Sequence, residues 1–265
     1  KNSQKLMHLM QEHSVSVMQA TPITWRLLFK SGWSGDQNLK VLCGGEKMPN
    51  DLADSLLKCC GEVWNMYGPT EATTFAFMQV VSPDDVAEHR GSVSVPIGRP
   101  INHVSAWVLD PQYNPVPIGT PGELYLGGGG IANGYYANQA MTSKSFVSLP
   151  HLAAQTLFKT GDKVRMLEDG RFEYLDRIDS QVKVRGFRID LAEISSTLKV
   201  QPGVNDAYVM VQGEGADKRV VAYWSGVDSQ PDITPRLRES LQKILPVYML
   251  PNHFLKVASI PLTAN

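Results

Sequence analysis

In the run Asn65-Met66-Tyr67-Gly68-Pro69-Thr70-Glu71 an amide, a phenol, a hydroxyl and a carboxylate sit close together, directly after the apolar pair Val63-Trp64. Arranged in a loop, these groups suit a purine, its phosphates and a magnesium ion, while a Gly-Pro turn with an incidental glutamate would leave the same trace. A second cluster, Gly127 to Gly130, follows the strand-like Glu123-Leu124-Tyr125-Leu126. It contains Gly127-x-Gly129-x-x-Ala132, a permissive dinucleotide fingerprint, which requires a following helix and an acid about 20 positions on. Asn133-Gly134 breaks any helix there, and no Asp or Glu occurs between Leu124 and Gly161, so that fingerprint fails. The chain has no Gly-Lys pair, so it contains no Walker loop for a triphosphate. The third cluster is Thr160-Gly161-Asp162, followed by Asp176-Arg177-Ile178-Asp179 and the basic run Gln181 to Arg188. An acid can grip vicinal ribose hydroxyls and arginines can meet phosphate oxygens as a fork, although a basic run also describes a solvated strand face.

The elements that must carry these clusters fall into three stretches. The first has α/β rhythm: a helix leading into a strand at Val15 to Ala20, a helix from Pro22 to Lys30, a buried strand at Leu39 to Cys43, and a helix from Pro49 to Cys60 capped by Asn50. Ligand sites in such arrangements lie where strands end in loops. From Pro96 to Tyr174 short strands alternate with turns, at His103 to Leu109, Gly122 to Leu126, Asp162 to Met166 and Phe172 to Leu175. Beyond Asp179 the pattern becomes a compact α+β unit with helices at Leu191 to Val200 and Pro235 to Leu245. The boundary is expected at Arg177 to Ser180, and no internal repeat is visible.

Composition narrows the classes. The 265 residues carry 25 Lys+Arg against 26 Asp+Glu, so no charge imbalance points to nucleic acid or an anionic membrane. The apolar runs stop well short of the ~20 residues of a membrane helix. Cys43, Cys59 and Cys60 form no metal-type spacing and read as reduced thiols, which suggests a cytoplasmic protein.

In their order, the clusters resemble the successive core motifs of the adenylate-forming enzymes. Asn65 to Glu71 is similar to Asn-x-Tyr-Gly-Pro-Thr-Glu, and Gly122-Glu123-Leu124 through Gly134-Tyr135 to Gly-Glu-Leu…Gly-Tyr. Phe158 to Asp162, Arg177 to Glu193 and Leu245 to Pro251 match the next motifs, so the likeness covers essentially the whole chain. Gln181-Val182-Lys183 and Pro261 to Asn265 bring it closest to the adenylation domains of nonribosomal peptide synthetases. Asp176 and Asn133 depart from the family's usual Gly and Arg.

The resemblance implies an α/β and α+β adenylate-forming fold, with residues 1–178 the later part of a large core subdomain and 179–265 a small mobile one. It implies ATP and Mg2+ as cofactors, an amino-acid substrate, and phosphopantetheine on a peptidyl carrier domain as acceptor, beside a condensation domain. By position, Tyr67 would pack on adenine, Asn65 would bond its amino group, and Gly45-Glu46 would cover its other face. Thr70 would touch the α-phosphate, Glu71 would ligate magnesium, Asp162 would hold the ribose, Tyr174 would join the nucleotide site, and Arg177 would approach ribose and phosphate. Asp179 matches a hinge. Gln19, Leu42, Gly44, Met66, Thr74 and Phe75 would line the substrate pocket; none is charged, so a small neutral amino acid is expected, glycine first. The family's phosphate loop belongs upstream of Lys1, and the motif at Pro261 normally continues into Gly-Lys. The chain is therefore expected to be truncated at both ends and inactive alone. Two alternatives stay open: an acyl- or aryl-CoA ligase of the same superfamily, and an inactive structural remnant of a megasynthetase.

Overall fold

The computed structural model describes residues 3–88, 94–153, 155–213, 217–226 and 233–261. Contacts divide the chain into a unit at Lys1–Asp179 and a unit at Ser180–Asn265. The first unit opens with α1 (Ser3–Glu12), β1 (Val17–Ala20), α2 (Pro22–Lys30), β2 (Asp36–Gly44), α3 (Asn50–Cys59) and β3 (Cys60–Tyr67). Pro22 takes the first turn of α2, where its missing N–H costs nothing, and Trp25 and Leu28 one turn on are fully buried. In α3 the buried residues Leu52, Ala53 and Leu56 make one stripe. Asn50 is the first residue of this helix and not its cap: the Pro49 carbonyl already accepts from Ala53 N at 3.0 Å, which starts the helix one residue earlier.

β1, β2 and β3 pair in parallel, and β4 (Phe77–Val80) and β5 (Arg99–Pro100) extend the sheet antiparallel in the order β1-β2-β3-β4-β5. The helices cover the face bearing Val41, Cys43 and Val63, and each such side chain contributes about 2 kcal/mol by leaving water. On the opposite face the register sets Gln19, Leu42 and Trp64 in one row and Gly44 beside Met66.

A second sheet follows in the same unit, from β6 (Val104–Leu109), β7 (Gly122–Gly128), β8 (Phe146–Ser148), β9 (Thr156–Met166) and β10 (Phe172–Arg177), with α5 (Gln139–Ser145) before β8. Its order is β10-β9-β7-β6, and β8 pairs with β9. Tyr67 and Phe77 from the first sheet share a core with Leu124, Leu126, Val164 and Phe172 from the second.

The other unit contains β11 (Gln181–Val184), β12 (Phe187–Asp190), α6 (Leu191–Lys199), β13 (Asp206–Gln212), β14 (Arg219–Ser225), α7 (Thr234–Ile244) and β15 (His253–Lys256). Asp190 caps α6 by accepting from Ala192 N at 2.9 Å, and Ile194, Leu198, Trp224, Leu237 and Leu241 form its core. The end of the Pro261 to Asn265 motif, from Leu262, lies outside the described residues.

One polar knot ties the two sheets of the first unit. Before α4 (Pro83–Glu88), Ser82 N and Oγ donate to Asp85 Oδ2 at 2.7 and 2.8 Å, and Asp85 N returns a bond to Ser82 Oγ at 3.3 Å. The other Asp85 oxygen accepts from Arg171, next to β10. Burial alone would raise the Asp85 carboxyl, but hydrogen bonds from Ser82, Gln79 and Arg171 outweigh it and hold the group below its ordinary value. A depressed carboxyl stabilises the fold above its unfolded pKa and loses that contribution as pH falls through the folded value. Asp85→Asn should therefore cost about 2 kcal/mol in urea unfolding at pH 7, and the gap should shrink below about pH 4. An equal gap at pH 7 and pH 3 would contradict this role.

Candidate functional site

The site is built on an irregularity in β9. Lys163 pairs with Glu123 and Lys159 with Tyr125, so Thr160, Gly161 and Asp162 stand opposite Leu124 alone. Gly161 absorbs this bulge at φ +73°, and a Cβ there would lie 2.7 Å from both Arg177 and Asp179. Side chains replace the missing ladder bonds: Thr160 Oγ1 donates to Leu124 O at 2.8 Å and accepts from Asp162 N at 3.0 Å, and Gly161 N donates to Glu123 Oε1 at 3.1 Å. The sequence predicts a strand beginning at Asp162; it begins at Thr156 because these bonds carry it through the glycine.

The bulge turns Asp162 inward, leaving its side chain 3% exposed. Its Oδ2 accepts from the Tyr67 hydroxyl, and its Oδ1 accepts from Arg177 Nη1 at 2.8 Å. Arg177, 6% exposed, also forks onto Asp179 at 2.7 and 2.6 Å and donates to Thr160 O at 3.1 Å. Burial alone would lower the guanidinium pKa, but the bonds to Asp179 and the charge of Asp162 raise it. Burial, then the Asp162 charge, pushes the Tyr67 and Tyr174 phenols up. The Tyr67 ring meets Phe77 edge-on at 5.6 Å and lies 6.2 Å from Tyr174. Lys47 stands 5.1 Å over Tyr174 and donates to Leu175 O, the residue that breaks the β9–β10 register. Gly45 and Glu46 lie in the same turn after β2, with Gly45 at φ +88°.

Asn65, Met66 and Tyr67 are the last residues of β3; the loop starts at Gly68. The motif residues look turn-like as types, but parallel pairing of Cys43 with Asn65 and Gly44 with Met66 keeps them in the sheet. The Asn65 amide nitrogen donates to Pro96 O at 2.7 Å and Val95 O at 3.3 Å, which leaves its carbonyl oxygen as the acceptor end. Thr70, Glu71 and Ala72 form a 3-10 turn, and Thr73 and Thr74 follow in the left-handed region at φ 56° and 73°. For β-branched residues that conformation costs about 1–2 kcal/mol each. It is offset by a clamp from the glycine-rich segment: Thr73 Oγ1 donates to Gly130 O at 2.6 Å, Ala132 N to Glu71 O at 2.9 Å, and the Tyr135 hydroxyl to Glu71 Oε1 at 2.6 Å.

The middle motif is thus a bracket. Its start, Glu123 and Leu124, holds the Asp162 bulge, and its end, Gly130 to Tyr135, holds Glu71. Glu123, Thr160 and Tyr135 carry this work, and only the order of the motifs hinted at them in the sequence. The pocket candidates divide between two places: Gln19, Leu42, Gly44 and Met66 share one sheet face, while Thr74 and Phe75 lie in the turn after Gly68. Gly44 is expected to leave room for substrate, yet a Cβ there would come within 2.7 Å of Met66 O, so strand packing already demands glycine.

The family model for AMP-binding enzymes matches residues 1–136, just over half of the 265. The chain belongs to the AMP-binding enzyme family. Relatives of this AMP-binding enzyme include a dimodular nonribosomal peptide synthase of Bacillus subtilis, 37% identical over 99% of the chain, and a linear gramicidin synthase of Brevibacillus parabrevis, 42% identical over 85%. The chain spans only 11% and 3% of those proteins. It also resembles a four-domain nonribosomal peptide synthetase solved with AMP and glycine, at 40% identity and a TM-score of 0.63, covering all of this chain and 19% of that one. A synthetase with adenylation and carrier domains aligns at 28% identity and a TM-score of 0.85, over all of this chain and 45% of its own.

In this AMP-binding enzyme Asp162 pairs with Arg177 away from water, while Arg177 is shared between Asp162 and Asp179. Asp162→Asn leaves Arg177 on Asp179 but weakens the charge-assisted bonds from Tyr67 and Arg177, so it should lower stability in urea by about 2 kcal/mol with no ligand present. A variant as stable as wild type would mean that Asp162 only faces ligand.

Proposed function

We propose that this AMP-binding enzyme activates an amino acid with ATP as its aminoacyl adenylate and passes it to the phosphopantetheine thiol of a peptidyl carrier domain, in the cytoplasm. The observation that supports this best is the bracket, which brings a phosphate-type acid, Glu71, and a ribose-type acid, Asp162, onto one framework beside Tyr67 and Asn65. In the first half-reaction the substrate carboxylate oxygen bonds to the α-phosphorus while the bond to the β-phosphate oxygen breaks and pyrophosphate leaves. In the second, the thiol loses its proton to solvent, its sulfur bonds to the acyl carbon, and the bond from that carbon to the phosphate oxygen breaks to release AMP.

Each group of the chain has a proposed task. Each carboxylate oxygen of Asp162 accepts from one of Tyr67 and Arg177 and has the capacity for a second hydrogen bond, so a ribose diol can add beside them. Asn65 presents an acceptor oxygen to the adenine amino group, with Tyr67 and Tyr174 beside the base and Gly45-Glu46 across from them. Thr70 lies toward the α-phosphate. Glu71 would hold Mg2+ with its carboxylate, a hard oxygen donor of the type that ion takes, beside the substrate phosphates. Magnesium bound there neutralises charge developing on the phosphates. Arg177 holds Asp179, the proposed hinge, through two hydrogen bonds, so strain at the hinge would be felt at the ribose acid.

The substrate reading is a small neutral amino acid, with glycine first. Gln19, Leu42, Gly44, Met66, Thr74 and Phe75 bring no charge, and Met66 is buried. The test is ATP–pyrophosphate exchange by the full-length protein across an amino-acid panel. Exchange should be highest with glycine, alanine or serine, and Glu71→Gln should reduce it about a hundredfold or more. Preference for a charged or aromatic substrate would overturn the pocket reading, and wild-type exchange by Glu71→Gln would remove Glu71 from the site.

A further inference from the structure

Tyr135 lies 64 residues from Glu71 in the chain, yet its hydroxyl donates to Glu71 Oε1 at 2.6 Å. The ring has its own anchor, an edge-on contact with Phe146 at 5.6 Å, and Phe146 in turn packs on Phe158 at 5.1 Å. The backbone is also fixed, since Tyr135 N donates to Thr142 Oγ1 at 2.9 Å from α5. Gly134 permits that approach, because a Cβ there would fall 2.4 Å from Thr142 Cγ2. α5 is held in turn by Asn138, whose side chain accepts from Met141 N at 3.0 Å. The phenol is therefore delivered to Glu71 by a platform that stands without it.

We propose that Tyr135 is a positioning residue: its hydroxyl fixes the Glu71 carboxylate in the rotamer whose second oxygen, Oε2, takes the magnesium ion that accompanies the nucleotide. The inference rests on the reading of Glu71 as the metal-facing acid. A glutamate side chain is costly to order, and the backbone bond from Ala132 to Glu71 O acts on the main chain rather than on the carboxylate. A hydrogen bond to the carboxylate sets its orientation. An uncharged donor does so without cancelling the charge that draws a cation, as a lysine would.

The test is Tyr135→Phe in the full-length protein, which removes the hydroxyl and keeps the ring against Phe146. Calorimetric titration of ATP without amino acid, at graded Mg2+, reads metal coupling with no turnover. The Mg2+ needed for half-maximal enhancement of ATP binding should rise about tenfold, while ATP binding in EDTA stays as in wild type. Excess Mg2+ should restore pyrophosphate exchange, and Glu71→Gln combined with Tyr135→Phe should behave as Glu71→Gln alone. If Glu71→Gln abolishes the Mg2+ dependence and Tyr135→Phe leaves it at the wild-type value, the positioning role is overturned while Glu71 keeps its place. If Glu71→Gln itself retains wild-type dependence, the metal-facing reading fails and the role of Tyr135 falls with it.

Discussion

The Asp162–Arg177 ion pair is the constraint around which the first unit is arranged. Side chains that are 3% and 6% exposed cannot keep their charges singly, so Asp162 requires Arg177, and Arg177 is shared between Asp162 and Asp179. Tyr67 supplies one bond from the first sheet, Thr160 O and Asp179 supply others, and the bulge at Gly161 gives Asp162 its inward direction. A second irregularity, at Leu175 on β10, lets Arg177 reach back across the strand pair. Two register shifts in adjacent strands thus serve one contact, and that contact joins both sheets to the segment ending at Asp179.

The glycine-rich segment gains its meaning from this arrangement. Four consecutive glycines after a strand suggest a phosphate cradle, but here the strand's first residues steady the Asp162 bulge and its continuation clamps the turn that carries Glu71. The proposed ribose acid and the proposed metal-facing acid are therefore coupled through one continuous stretch, from Glu123 to Tyr135. Preorganisation of this kind suits phosphoryl chemistry, in which the protein mainly positions groups and stabilises charge.

Much of the framework was legible because local signals were unopposed. Pro22 marks the start of α2, and the helix expected from Pro235 to Leu245 coincides with α7 to within a residue at each end. Legibility failed where tertiary contacts override residue type. Asn65 to Tyr67 look like a turn and are a strand end, because β2 supplies parallel partners. Gly161 looks like a strand boundary and is a bulge, because the Thr160 hydroxyl stands in for the ladder. α5 has no buried residue and so no apolar periodicity to detect; its Asn138 cap holds it. Tyr135 could not be paired with Glu71 from spacing at all, since nothing local connects them, and the occupation of both Asp162 oxygens by Tyr67 and Arg177 is likewise a fact of the folded chain alone.

If one bracketed framework receives the nucleotide, its ribose lies at Asp162 and its phosphate toward Glu71. A crystal structure of the full-length protein with AMP decides this. Ribose hydroxyls are expected within about 3 Å of the Asp162 carboxylate, the base beside Tyr67 and Tyr174, and the phosphate on the Glu71 side. AMP bound elsewhere, with no ribose hydroxyl on the Asp162 carboxylate, would contradict it.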